Sequence, residues 1–224
     1  MEIYYKNDII IKIVKGKKIL HVGACDSPYS IKEYENGSLL HYLINSVSDE
    51  VIGLDIDRNS IEELCDLGLN NIFWGDIVNN KYEIDLQTQD FDYIVLGDII
   101  EHLDNPGLAL ANIKKMMTFN TKVIVTVPNC FSYAAIINLV KSKEEVHPEH
   151  VFWTSKTTME KLIKNQGFSI TNFYYCFYGS EKFSRFRKKV SLILLKRFPR
   201  FLPCLFFEIS LNESNSQQYD IYQN

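Results

Sequence analysis

Glycine and proline are scarce in this 224-residue chain, at ten and six residues. No glycine opens a Gly-x-Gly-x-x-Gly run, and none leads into Gly-Lys-Ser/Thr. The dinucleotide fingerprint and the phosphate-cradling loop are therefore both missing. The five cysteines, Cys25, Cys65, Cys130, Cys176 and Cys204, include no Cys-x-x-Cys pair, which removes the usual zinc and dithiol spacings. Positive charge is not in excess. The 24 Lys and Arg against 28 Asp and Glu leave −4, which argues against a nucleic-acid footprint over the whole surface. No window is apolar and uncharged for the length of a membrane span. The opening "MEIYYKNDIIIKIVKGKK" is mixed in charge, with Glu2 and Asp8 among its lysines, unlike a secretory leader. Together with an odd cysteine count it leads to the expectation of reduced thiols in a cytosol.

What is present is an alternation. Apolar stretches at 18–22, 50–57, 71–77, 91–99 and 122–129 carry Val and Ile on both faces, as strands of a buried parallel sheet do. Helical patterns at 38–46, 60–67, 106–117 and 133–140 separate or follow them. "SKTTMEKLIKNQGF" adds a helix with a Ser N-cap signal and Gly167 as its C′ residue. Residues 169–178 and 204–211 read as two late strands that pair as an antiparallel hairpin edge, and 212–224 as a polar tail. The pattern predicts one domain over 1–224 with a doubly wound α/β sheet.

Ligands of such sheets sit outside the carboxyl ends of the strands. The first strand runs into Gly23-Ala24-Cys25-Asp26-Ser27-Pro28. There the small residues allow close approach of a ligand to the backbone. Asp26 or Ser27 caps a following helix with Pro28 at its first position. The next strands end in Asp55, Asp76 and Asp98. Asp55 is placed to accept ribose hydroxyls and Asp76 an adenine amino group, with Ile56 and Ile77 on either side of the ring. Three acids at neighbouring tips suit an uncharged or cationic nucleoside, because a polyphosphate would be repelled. Asp57 reads as the cap of the helix that follows it.

The ordered set "ILHVGACDS … VIGLDID … WGDI … FDYIVLGDIIEHLDNPGLAL … VIVTVPN … EHVFWTSKTTMEKLIKNQGF" resembles the class I S-adenosylmethionine-dependent methyltransferases. It is similar to the small-molecule group of bacterial surface-glycan and natural-product pathways. The resemblance runs over about 15–180. The family's glycine-rich turn is kept only at Gly23. His21 stands where an acid is usual, Cys25 at the second glycine and Ser27 at the third.

The resemblance implies a seven-stranded sheet with a reversed last strand, and S-adenosyl-L-methionine as cofactor. The methionyl half would lie along Gly23, Ala24 and Cys25, with Asp26 or Asp98 near its amino group. Asp55 would take the ribose, Asp76 the adenine, and Gly97–Asp98 the sulfonium side. The implied reaction is transfer of the methyl to a small-molecule or glycan-type acceptor, most simply at a hydroxyl oxygen. His150 matches the family's histidine ahead of "F-x-x-S … L … GF" and is the expected base, with His147 and His102 behind it. No metal is expected, although His147-x-x-His150 has two donors.

Residues 181–203 form a basic amphipathic insertion between the last two strands, with Lys182, Arg185, Arg187, Lys188, Lys189, Lys196, Arg197 and Arg200. It reads as a lid or dimer-face helix, or as a contact for anionic membrane or a lipid- or phosphate-linked glycan. Two rival functions are a non-catalytic nucleoside- or partner-binding module and a nicotinamide-dependent oxidoreductase. The missing fingerprint stands against the second.

Overall fold

The structure, a computed structural model, describes residues 4–86, 89–178 and 197–212. The seven apolar stretches form seven long strands: β1 (Lys18–Val22), β2 (Glu50–Asp55), β3 (Ile72–Asp76), β5 (Tyr93–Gly97), β6 (Lys122–Pro128), β7 (Phe168–Cys176) and β8 (Cys204–Leu211). A two-residue strand, β4 (Lys81–Tyr82), folds back antiparallel on β3 and makes eight. The sheet order is β4-β3-β2-β1-β5-β6-β8-β7. Strands β1, β2, β3, β5 and β6 are parallel. Strand β8 runs against both β6 and β7, so the last strand is the reversed one. The two late strands do pair with each other, and β8 takes the inner position. Its "CLFFEISL" is almost wholly buried, whereas β7 keeps exposed Thr171 and Asn172 and suits the edge.

Helices cover both faces, which explains why the strands are apolar on both. On one face α1 (Lys6–Val14) and α3 (Leu40–Asn45) bring Ile10, Val14 and Ile44 against Ile19, Val95, Ile124 and Phe206. On the other, α5 (Pro106–Lys114) and α7 (Lys156–Asn165) bring Leu110, Ile113, Met159 and Ile163 against Leu20, Leu96, Val123 and Phe207. Neighbours along one strand thus belong to different cores, as the two-residue period of a strand requires. Helix α4 (Arg58–Asp66) closes a third cluster over Ala24, Cys25 and Ile72.

The ends of the helices follow their sequence signals. Asp57 caps α4 through Asn59, and Asn105 caps α5 with Pro106 in its first turn. Ser132 caps α6 (Tyr133–Val140). Ser155 and Thr158 form a reciprocal capping box on α7, and Gly167 beyond its end has φ +81°.

One signal fails. Helix α2 (Ser30–Glu35) starts after Tyr29, and neither Asp26 nor Ser27 caps it, because Asp26 takes a left-handed turn (φ +57°) that carries the chain away first. The basic insertion as far as Lys196, and the polar tail from residue 213, lie outside the described residues. Among the described residues no helix is long and apolar enough to cross a membrane.

Candidate active site

The tips of β1, β2, β3 and β5 lie side by side at one end of the sheet. Strand β1 ends in Gly23, with φ +76°. A Cβ there would come within 2.0 Å of Ile99, so only glycine lets the turn pass. Gly23 and Ala24 donate their amides to the Leu54 carbonyl at 2.8 and 3.1 Å. The Cys25 amide donates to Asp55 Oδ2 at 2.8 Å and the Asp57 amide to Asp55 Oδ1 at 3.0 Å. Two backbone donors thereby aim the Asp55 carboxylate, which stays half-exposed. The side chains of Ala24 and Cys25 point into the third core cluster, so what this turn offers at the tip is backbone. Burial, with Asp55 beside it, pushes the Cys25 thiol far up, and Cys25 acts as a small apolar wall.

Asp76 at the tip of β3 is drawn into its own turn. It accepts the amides of Val78 and Asn79 at 3.0 Å and the Asn79 side chain at 2.8 Å. Asn112 of α5 pins the same turn by donating to the carbonyls of Ile77 and Val78 at 2.8 and 2.9 Å. Ile56 is 63% exposed and Ile77 only 5%. Ile77 packs into the central core with Leu54 and Leu86.

Gly97 closes β5, where a Cβ would meet Leu40 at 2.8 Å. Asp98 follows in the left-handed region, φ +56°. Its amide donates to the Thr126 carbonyl at 3.0 Å, and its Oδ1 accepts from the Thr126 hydroxyl at 3.1 Å. Its Oδ2 holds Lys6 Nζ at 2.5 Å. Lys6 sits at the start of α1 and its side chain is 13% exposed. Attraction to Asp98 overcomes burial there and holds the ammonium charged.

His102, His147 and His150 converge beyond Asp98. The one-turn helix Ile100–His102 carries Glu101 and His102. The loop after α6 folds onto it, with the amides of Val151 and Phe152 donating to the Glu101 carbonyl at 2.8 and 3.4 Å. Ring centroids lie 4.7 Å apart for His102 and His150, 5.0 Å for His147 and His150, and 6.0 Å for His102 and His147. Burial lowers His102 and His150 below the ordinary imidazole value, and His102 adds to the shift of His150. His21 is buried near the end of β1 and stacked on His41, with the two Nδ1 atoms 3.2 Å apart.

The donor set fits S-adenosylmethionine. Carboxylates at Asp55 and Asp76 suit a ribose and an adenine amino group, which donate. The turn at Gly23 admits a ligand against backbone. The pair Lys6–Asp98 offers both signs that an amino-acid zwitterion needs. Sequence reasoning missed Lys6 and Glu101. Glu101 stood inside the quoted "DIIEHLDNP", whereas nothing local to "YYKND" marks Lys6.

A methyltransferase-domain family model matches residues 34–172. No curated protein sequence matches the chain. Solved structures that resemble it include a SAM-dependent methyltransferase from Archaeoglobus fulgidus, at 17% identity and TM-score 0.55, covering 92% of this chain and 94% of that one. Magnesium protoporphyrin IX methyltransferase from Synechocystis with bound SAH matches at 13% identity and TM-score 0.56, over 92% and 82%. A methyltransferase from Haloferax volcanii in complex with its Trm112 activator matches at 11% identity and TM-score 0.57, over 89% and 84%. At such identities these likenesses speak for the fold.

Proposed function

Since the chain belongs to the class I S-adenosylmethionine-dependent methyltransferases, with S-adenosylmethionine as its cofactor, we propose that it methylates a hydroxyl oxygen of a small-molecule or glycan-type acceptor. The observation that supports this reading is the trio His102, His147 and His150 gathered next to Asp98 at the tip of β5. A hydroxyl must lose its proton to attack a methyl group, and imidazoles lowered by burial are neutral and able to take it near pH 7.

The cofactor when bound supplies an electrophilic methyl on a sulfonium that leaves as a neutral thioether. The residues do the rest. Asp55, aimed by the Cys25 and Asp57 amides, accepts from the ribose. Asp76 accepts from the adenine amino group, with exposed Ile56 beside the ring. Asp98 and Lys6 take the ammonium and carboxylate of the methionyl end. His150, pinned through the Glu101 carbonyl, accepts the acceptor's proton, and exposed His147 passes it to solvent. Holding both reactants in line is the main source of rate.

The test uses labelled methyl transfer to a panel of hydroxyl acceptors. His150→Ala should lower turnover by about a hundredfold and leave S-adenosylhomocysteine affinity within a few-fold. Unchanged turnover removes His150 from the reaction. Methylation confined to nitrogen or carbon acceptors removes the hydroxyl reading.

A further inference from the structure

Glu101 is a buried acid without a partner. It is 0% exposed, and among the described residues neither carboxylate oxygen has a hydrogen-bond partner. A buried polar group without a partner costs about 1–3 kcal/mol, and more when charged. Its neighbour Asp98 is paired with Lys6 and accepts from Thr126, and neither Lys6 nor Thr126 reaches the Glu101 carboxylate. What Glu101 does face is two imidazoles. One ligand atom from each of Glu101, His102 and His150 falls within 4.8 Å of the other two.

We propose that Glu101, His102 and His150 bind a divalent transition-metal ion. Two imidazole nitrogens and one carboxylate oxygen match the preference of zinc and its first-row neighbours, and an all-oxygen magnesium cage would need different donors. Ligands bonded tetrahedrally to one such ion at about 2.1 Å lie about 3.4 Å apart, so the cluster closes by at most about 1.4 Å to grip it. His150 rides on a loop and His102 on a one-turn helix, both able to move that far. The ion gives the buried carboxylate the partner that the protein does not.

The site rests on the hydroxyl-methylation reading for its use. Three protein ligands leave a coordination position open, and the acceptor hydroxyl fills it. Coordination acidifies the hydroxyl. The O–H bond breaks and its proton leaves through exposed His147 to solvent. The oxygen then forms the new C–O bond while the C–S bond breaks, and its electron pair stays on sulfur. In this form His150 acts as a ligand, the ion acidifies the hydroxyl, and His147 receives the proton in place of His150.

The experiment titrates the chelator-stripped full chain with Zn²⁺ by calorimetry and with Co²⁺ by visible absorption. One ion per chain is expected, with imidazole-bound cobalt bands. Affinity should fall at least tenfold in Glu101→Gln and in His102→Ala, and stay unchanged in Asp104→Asn, an exposed acid next to the cluster. Glu101→Gln keeps the shape and removes the oxygen that can ionise to bind the ion, so it guards against loss of fold. No uptake of either ion overturns the site, as does uptake that both variants retain. Uptake without methyl transfer upholds the site and overturns the hydroxyl reading. Full-rate transfer in chelator with no uptake overturns the site and leaves His150 as the base.

Discussion

At the scale of single residues, the chain keeps several ionisable groups in forms they would not adopt in water. The buried His21–His41 pair shows the effect most cleanly. Burial, with His41 and Lys6 nearby, drives His21 well below its ordinary 6.5, and burial drives His41 to about 4 despite its bond to Asn71. Folded, both rings stay neutral, and unfolded, they take protons near 6.5. Below that pH the unfolded chain binds more protons, so this contribution is full above 6.5 and drains away as the pH falls toward 4. Each ring contributes a slope of about 1.4 kcal/mol per pH unit. Glu101 pulls the opposite way, because burial, with Asp98 behind it, pushes it up to about 9. A comparison with His41→Gln isolates the ring. Between pH 6.5 and 5.5, denaturant unfolding in chelator should show the wild type losing about 1 kcal/mol relative to the variant. A constant gap would mean that His41 is charged in the fold. The strand-tip acids were legible because a two-faced apolar run that stops at Asp is a local signal. The buried histidine pair and Lys6 were not, since their partners lie 20 and 92 positions away.

At the scale of elements, the long strands and the well-capped helices were readable for the same reason: each carries its own start and stop chemistry. Helix α7 is the clearest case. Ser155 accepts from the Thr158 amide and Thr158 answers through the Ser155 amide. Just ahead of it the Thr154 hydroxyl donates to the Pro128 carbonyl and its own carbonyl receives the Cys130 amide. The cap therefore also anchors the loop that carries His150. Ser155→Ala should cost about 1 kcal/mol and lower the melting temperature by about 2–4 °C. A melt unchanged within a degree would show that the loop, and not the hydroxyl, starts the helix. Elements without such signals escaped. Helix α1 has no side-chain cap, and β4 exists only as the return stroke of a turn built by Asp76; α2, expected to open at Pro28, starts two residues later without a side-chain cap.

At the scale of the whole molecule, the sheet order brings distant parts of the chain to one end, and α1 closes the arrangement. Its start is tied to the far end of the sheet. The Lys6 amide donates to the Phe177 carbonyl at 2.7 Å, and the Phe177 amide to the Tyr4 carbonyl at 2.9 Å. Those two bonds aim Lys6 across the sheet at Asp98, where the methionyl end of the cofactor is proposed to lie. A ligand held there by Lys6 also fixes α1, so binding should tighten the helix as well as the strand tips. Amide hydrogen exchange across 6–14 should slow when S-adenosylhomocysteine is added. Lys6→Met should weaken that ligand at least tenfold, about 1.4 kcal/mol. If α1 exchanges at the same rate with and without ligand while the strand tips become protected, the N-terminal helix only covers the sheet. The methionyl carboxylate must then be held by another residue.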